Sequence, residues 1–434
     1  MRALLPVSAL LVSVAILLTG NGLQSILLPV RAGLEGFSIV EIALISSCYF
    51  AGFAAGCKFG PRLVRKVGHI RSFTAMTAIA SAIALLHAFV VLPVGWWLMR
   101  LVTGFCFAVL YMVIESWLNE RSTQETRGVV LSAYMFISLT VVTLGQMLLP
   151  TADPAGMGLF ALISMLVSLA AVPVALSGAT APAPIESTKV HVGALYGLSP
   201  AGVTASLVAG LAVGPFWALS PQFAAARGLD DAGIAFFMSA AVLGGALGQW
   251  PFGRLSDRVD RRLVIALAAA LAAIAAALLT FLAAASHLAL FTLAAIWGAC
   301  AFPIYSLGVA HTNDRAEPGK FVETSSGLLL VYGAGAVVGP VLASFAMDTF
   351  GTGALFAFGA VVYVLLAGFV VVRRTRQPAP PPEAHVPFTE ALHAVTTVSP
   401  VFDEQTQAVL EEAAAQPAPD AAAVDVGEAP AERR

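Results

Sequence analysis

Charge is what this sequence has least of. Of its 434 residues only 11% are Asp, Glu, Lys or Arg, while 59% are hydrophobic and mean hydropathy is +0.87. A soluble domain is about 25% charged, because a water-facing surface needs that coat. Soluble enzymes and secreted modules are therefore excluded. So are nucleic-acid binders, which need basic clusters, whereas the formal net charge here is −2. Cysteine is scarce as well. Cys48, Cys57, Cys106 and Cys300 lie in or beside apolar runs with no CxxC spacing, which reads as small buried side chains and not a disulfide framework. Lysine occurs at 58, 66, 189 and 320 only, each time followed by Phe or Val, so the chain has no phosphate-cradling Gly-x4-Gly-Lys-Ser/Thr loop and no sign of ATP-driven pumping. HExxH is missing and every aspartate falls in a loop, at a span end or in the tail. No metal, no cofactor and no catalytic site is expected, which disfavours a membrane enzyme.

What is present is a series of apolar runs of bilayer length. The expected spans are 5–30, 40–59, 72–92, 94–118, 128–150, 156–177, 200–222, 232–252, 263–285, 288–311, 321–347 and 352–373. The first is too long for a signal-peptide core and lacks a small-residue cleavage site, so it reads as a retained helix. Pro93, Pro150, Pro154, Pro221 and Gly351 are expected to mark span ends; Ser38 with Glu41 predicts a capping box, and Asp230 and Asp231 precede the eighth span. The fold expected is an all-α membrane protein of twelve transmembrane helices.

Lys58, Arg62, Arg65, Lys66, Arg71, Arg121, Arg127, Lys189, Arg254, Arg258, Arg261, Arg262, Arg315 and Lys320 fall on one set of alternate loops, with Arg2 before the first span and Arg373, Arg374 and Arg376 after the last. The opposite loops hold only Arg31 and Arg227. This asymmetry predicts that both termini are cytoplasmic.

The chain also repeats. A shift of 192 aligns Gly22 with Gly214, Pro29 with Pro221, Gly36 with Gly228, Gly52 with Gly244 and Gly56 with Gly248. Past the third span a shift of 194 aligns Gly104 with Gly298, Cys106 with Cys300, Tyr111 with Tyr305, Asn119 with Asn313, Arg121 with Arg315 and Gly145 with Gly339. Six spans repeated in the same order predict two six-helix bundles, 1–177 and 198–376, about an axis along the membrane normal, with the substrate path between them. Residues 178–197 form the expected cytoplasmic linker. Residues 377–434, rich in Ala, Pro and Glu, form an expected disordered tail, which carries −8 from 378 onward and leaves +6 on the body.

The loop between the eighth and ninth spans reads Gly253-Arg-Leu-Ser-Asp257-Arg258-Val-Asp260-Arg261-Arg262. Asp257 can accept from helix-start N–H groups, and Arg261 and Arg262 can pair with Asp314 or Glu317, forming a gate that breaks on opening. Here the sequence resembles the major facilitator superfamily (MFS), whose signature loop is Gly-x3-Asp-Arg/Lys-x-Gly-Arg-Arg/Lys. Gly253, Asp257, Arg258, Arg261 and Arg262 match; Asp260 replaces the second glycine. The equivalent loop of the first half has Pro61 for Gly253, Arg65 for Asp257 and Lys66 for Arg258, and keeps the second glycine as Gly68. Its basic cluster is left to pair with Glu115, Glu120 or Glu125. Arg100 and Gly104 match the family's Arg-x-x-x-Gly pattern in the fourth span. Gly339-Pro340 resembles an antiporter motif, but it stands in the eleventh span; the fifth has Gly145-Gln146 and no proline. SSCYFAG, ESWL, RGVVLSAYM and GQWPFGRLSD are similar to bacterial twelve-helix members without an assigned substrate.

The ionisable residues expected inside the membrane are few. Arg100, about one and a half turns into its span, should face a cavity or a partner unless it snorkels outward. The resemblance implies a role beside a proton site or substrate. Glu115 is the candidate for protonation, or else a fixed partner for cytoplasmic arginines. Asn21, Gln24, Trp217, Gln146 and Tyr332 are candidates to line the path, with Gln222, Tyr49, Tyr134, Gln249 and Tyr305 beside them. The resemblance implies alternating-access transport of a small molecule, and proton-coupled efflux by a monomer in the lipid bilayer is the expectation. An uncoupled facilitator, an importer and a non-transporting sensor or scaffold are the alternatives.

Overall fold

The computed structural model describes residues 7–122, 126–176, 192–282, 286–316, 321–376 and 388. Its helices, in chain order, are α1 (Ser8–Leu34), α2 (Ile39–Val67), α3 (His69–Phe89), α4 (Pro93–Glu120), α5 (Arg127–Gln146), α6 (Gly158–Leu169), α7 (Ala171–Leu176) and α8 (Val192–Leu198). They continue as α9 (Pro200–Ala226), α10 (Asp231–Ser256), α11 (Arg261–Leu282), α12 (His287–Ala301), α13 (Pro303–Asn313), α14 (Phe321–Phe350) and α15 (Ala354–Arg376). Twelve stretches among the described residues are long and apolar enough to cross a membrane; α6 with α7 makes one of them, and α12 with α13 another. This is an all-α membrane fold of two six-helix bundles.

Local chemistry sets the helix starts. Ser38 Oγ accepts from the Glu41 N–H at 3.3 Å while Glu41 Oε2 accepts from the Ser38 N–H at 2.7 Å, the reciprocal cap that the sequence predicts. Asp230 Oδ1 accepts from the Gly233 N–H at 2.8 Å and starts α10. Pro221 differs from expectation: it lies inside α9, as Pro29 lies inside α1. Neighbouring helices let membrane helices tolerate such prolines. Helix α2 also runs to Val67, past the expected end at 59, because backbone hydrogen bonding outlasts the apolar run and its last turns carry Arg62, Arg65 and Lys66. Helix α8 occupies the end of the expected linker; residues 177–191, and the tail apart from Phe388, lie outside the described residues.

The repeat recurs in the packing. A β-carbon on Gly52 would overlap the Leu101 carbonyl, and one on Gly244 would overlap the Ala295 carbonyl. Gly104 against Tyr49 is matched by Gly298 against Ala241, and Gly145 against Thr19 by Gly339 against Leu211. In every pair the partners stand 192 and 194 positions on. Helix pairs follow the same rule, with α2–α4 repeated as α10–α12 and α1–α5 as α9–α14. Only residues without side chains allow backbones this close.

Candidate functional site

The helices α1, α2, α4 and α5, with α9 and α10 from the second half, line a half-open cavity of about 400 Å³. One face of α1 supplies Asn21, Gln24, Ser25 and Leu28, and one face of α2 supplies Ile45, Ser46, Tyr49, Phe50 and Phe53. Arg100 and Tyr111 come from α4, Tyr134 and Ser138 from α5, and Trp217 and Val242 from the second half. The size suits a small organic molecule. Among the described residues the lining holds one cation, Arg100, and no Asp or Glu.

Arg100 sits seven residues into α4, roughly 10 Å along its axis. It is 7% exposed, so it does not snorkel. Its guanidinium lies 4.2 Å from the centre of the Tyr49 ring. Its Nε and Nη1 reach no acceptor among the described residues. Glu115 lies on the same helix about 22 Å farther along and is fully buried. It does not line the cavity, but Tyr111 and Tyr134 do, and Glu115 is within electrostatic reach of both and of Cys57.

The other candidates divide. Asn21, Gln24, Trp217, Tyr49 and Tyr134 surround the cavity. Gln146 instead accepts from Ser239 Oγ at 3.2 Å, joining α5 to α10, and Tyr332 packs on Tyr305 with ring centres 5.0 Å apart. Neither of these two, nor Gln249, is in the lining. Gln222 Nε2 donates to the Pro29 carbonyl at 2.7 Å and ties α9 to α1. Sequence reading missed Ser25, Ser46, Tyr111 and Ser138. Helical spacing from Asn21, Tyr49 and Tyr134 reaches the three serines, since positions three or four residues apart share a face.

The loop between α10 and α11 is a network of charges. Arg261 has a fully buried side chain; its Nε pairs with Asp314 Oδ2 at 2.7 Å, and its Nη2 with Asp257 Oδ1 at 3.3 Å. Arg262 holds Asp260 in a fork, Nε to Oδ1 at 3.1 Å and Nη2 to Oδ2 at 3.0 Å, and Arg374 approaches the same carboxylate at 3.5 Å. Burial alone would raise the Asp260 carboxyl, but the hydrogen bonds from Arg262 outweigh it and hold the group below its ordinary value. Asp257 Oδ1 also accepts from the Phe388 backbone N–H at 2.9 Å. The Phe388 ring, 4% exposed, covers Gly253, where any β-carbon would strike it. Arg258 is exposed, and Glu317 lies outside the described residues.

The departure at Asp260 has a structural reason. In the first half Gly68 has φ +91°, a conformation that favours glycine. Among the described residues no non-glycine has positive φ, so Asp260 follows another path. Its Oδ1 accepts from the Arg262 N–H at 3.0 Å, which caps the start of α11. Among the described residues the first-half loop carries no comparable network of its own arginines and lysines. Arg65 and Lys66 are exposed and form no ion pair among the described residues. Glu115 is buried in the helix packing, and neither Arg65 nor Lys66 reaches it; Glu125 lies outside the described residues.

The sequence profile of the Major Facilitator Superfamily matches residues 202–410. The uncharacterized MFS-type transporter YcaD of Shigella flexneri serotype 5b (strain 8401) is 27% identical over 386 residues, covering 88% of this chain and 98% of its own. An uncharacterized MFS-type transporter of Enterobacter sp. (strain 638) is 26% identical, covering 83% and 94%. Among solved structures, a variant of the nucleoside transporter NupG superposes with a TM-score of 0.75 at 12% identity, over 85% of this chain and all of that one. A bacterial homolog of the human lysosomal transporter Spinster, inward-facing, gives 0.64 at 14% identity, over 91% and 98%. These structural likenesses show a shared fold.

Proposed function

We propose that the chain is a member of the major facilitator superfamily and exports a small amphipathic molecule by alternating access, in exchange for protons, across the inner membrane. The observation that carries this reading is the cavity that α1, α2, α4 and α5 line together with Trp217, Ala218 and Val242 of the second half. The Gln222–Pro29 hydrogen bond joins the two halves and would break as they part. The arginine–carboxylate network of the α10–α11 loop lies within the second half and braces that bundle at its own end. The basic loops support cytoplasmic termini. Glu115 is the proposed proton carrier, because a proton there sits beside tyrosines that line the cavity.

The test uses the purified full chain. A thermal-shift screen across metabolites and drugs selects compounds that stabilise it, since only ligands of the folded state do so. In everted vesicles carrying a pH dye, a selected compound should move protons, and clamping the pH gradient should stop its transport. Glu115→Gln should abolish the proton movement and keep the thermal shift. Unchanged flux in that variant would remove Glu115 from the mechanism, and transport indifferent to the clamp would leave an uncoupled facilitator. One observation favours the sensor alternative, the seat of Phe388 on Gly253 and Asp257. Retained flux after deletion of 378–434 would argue against it.

A further inference from the structure

Arg100 is costly where it stands. A guanidinium taken out of water loses its hydration, and only acceptors can replace that water. Among the described residues the cavity lining supplies no carboxylate, Glu115 is too far along the helix to pair, and two of the three guanidinium nitrogens reach no acceptor. Tyr49 covers a flat face of the group. That contact offsets part of the cost and leaves the N–H edge, the part that makes forked hydrogen bonds, unused. A second buried donor on the same wall is in the same position. Gln24 is 2% exposed, and its Nε2 reaches no acceptor among the described residues.

We propose that the cavity binds a small organic anion, whose carboxylate or equivalent acceptor group takes the edge of Arg100 while its apolar body lies against Phe50, Phe53 and Trp217. This deepens the transporter reading above and rests on it. The chemistry discriminates in three directions. A cation would meet Arg100 with no carboxylate to offset the repulsion. A neutral apolar compound would leave the buried donors without acceptors. A sugar would need many more polar partners than a lining of mostly aliphatic and aromatic side chains offers. Trp217, on the far wall in the second half, gives the site its own optical reporter.

Binding is measured on the purified full chain in nanodiscs at neutral pH, by thermal shift and by quenching of Trp217 fluorescence, with Trp217→Phe as the blank. The probes are octanoate, phenylbutyrate and naphthoate, each beside its primary amide and its amine. The expected result is saturable stabilisation by at least one carboxylate and none by its amide or amine. Arg100→Gln should weaken that binding about ten- to a hundred-fold, the worth of a charged hydrogen bond, and Arg100→Lys should restore part of it. Amides or amines binding as well as the acids would overturn the proposal, as would a panel in which no carboxylate binds. Equal carboxylate affinity in Arg100→Gln would overturn it too. The wild-type comparison of acid with amide needs no variant to fold. Carboxylates that bind and are never transported would sink the transporter reading alone. Transport of a cation or neutral compound, indifferent to Arg100→Gln, would sink only the anion.

Discussion

The guanidinium of Arg100, on α4, stacks on Tyr49, on α2, at 4.2 Å from the ring centre. The stack is possible because the two helices are in backbone contact one turn away, where Gly104 meets the Tyr49 carbonyl. The glycine brings the helices together, and the aromatic ring then steadies a charge that the bilayer interior would otherwise reject. Tyr49→Leu should lower stability by about 2 kcal/mol, the value of a desolvated cation–π contact, whereas Tyr49→Phe keeps the ring and should cost far less. Thermal unfolding of the two variants in one detergent checks the difference.

Arg261 and Asp314 are both sealed from solvent. Removing one charge of such a pair strands the other. Asp314→Asn should destabilise the protein by about 3 kcal/mol and loosen the α10–α11 end of the bundle. Thermal unfolding reports the first effect and hydrogen exchange over 253–262 the second. Arg258→Gln, at an exposed position of the same loop, should do neither.

Asp260 makes stability depend on pH in a defined direction. Its folded carboxyl titrates below the ordinary 3.8, so its contribution is complete above that value and disappears as pH falls through the depressed one. Wild type should therefore exceed Asp260→Asn in Tm at neutral pH, and the two should converge in strong acid. A gap that widened on acidification would contradict the assignment.

Among the described residues, Phe388 is where the tail meets the body. Phe388→Ala and deletion of 378–434 should both speed hydrogen exchange over 253–262, because each uncovers Gly253. Gly253→Ala should do the same by displacing the ring. Indifference of all three would show that the seat adds nothing to the loop.

Most of the architecture is legible in the amino-acid order because the bilayer admits few solutions. A span must be apolar for about 20 residues and must satisfy its own backbone, so hydropathy finds each helix directly. Hydropathy does not find where a helix stops once it leaves the lipid, which is why α2 continues through Pro61 to Val67. The repeat is legible too, since glycines that set backbone contact cannot drift. Gly52 and Gly244 each face a carbonyl of the partner helix, and a single methyl would close the gap.

The sequence alone thus determined the twelve spans, the doubling of the halves, the basic loop at 253–262 and the short set of ionisable side chains inside. It could place Arg100 and Glu115 on one helix, out of each other's reach. Only the tertiary structure decided which polar residues meet. Gln146 turned to Ser239 and Tyr332 to Tyr305, while Asn21, Gln24 and Arg100 turned to the cavity. Every face of a membrane helix can read as apolar, so periodicity does not say which polar residue serves a neighbour and which a ligand. That choice belongs to the packing of helices far apart in the chain.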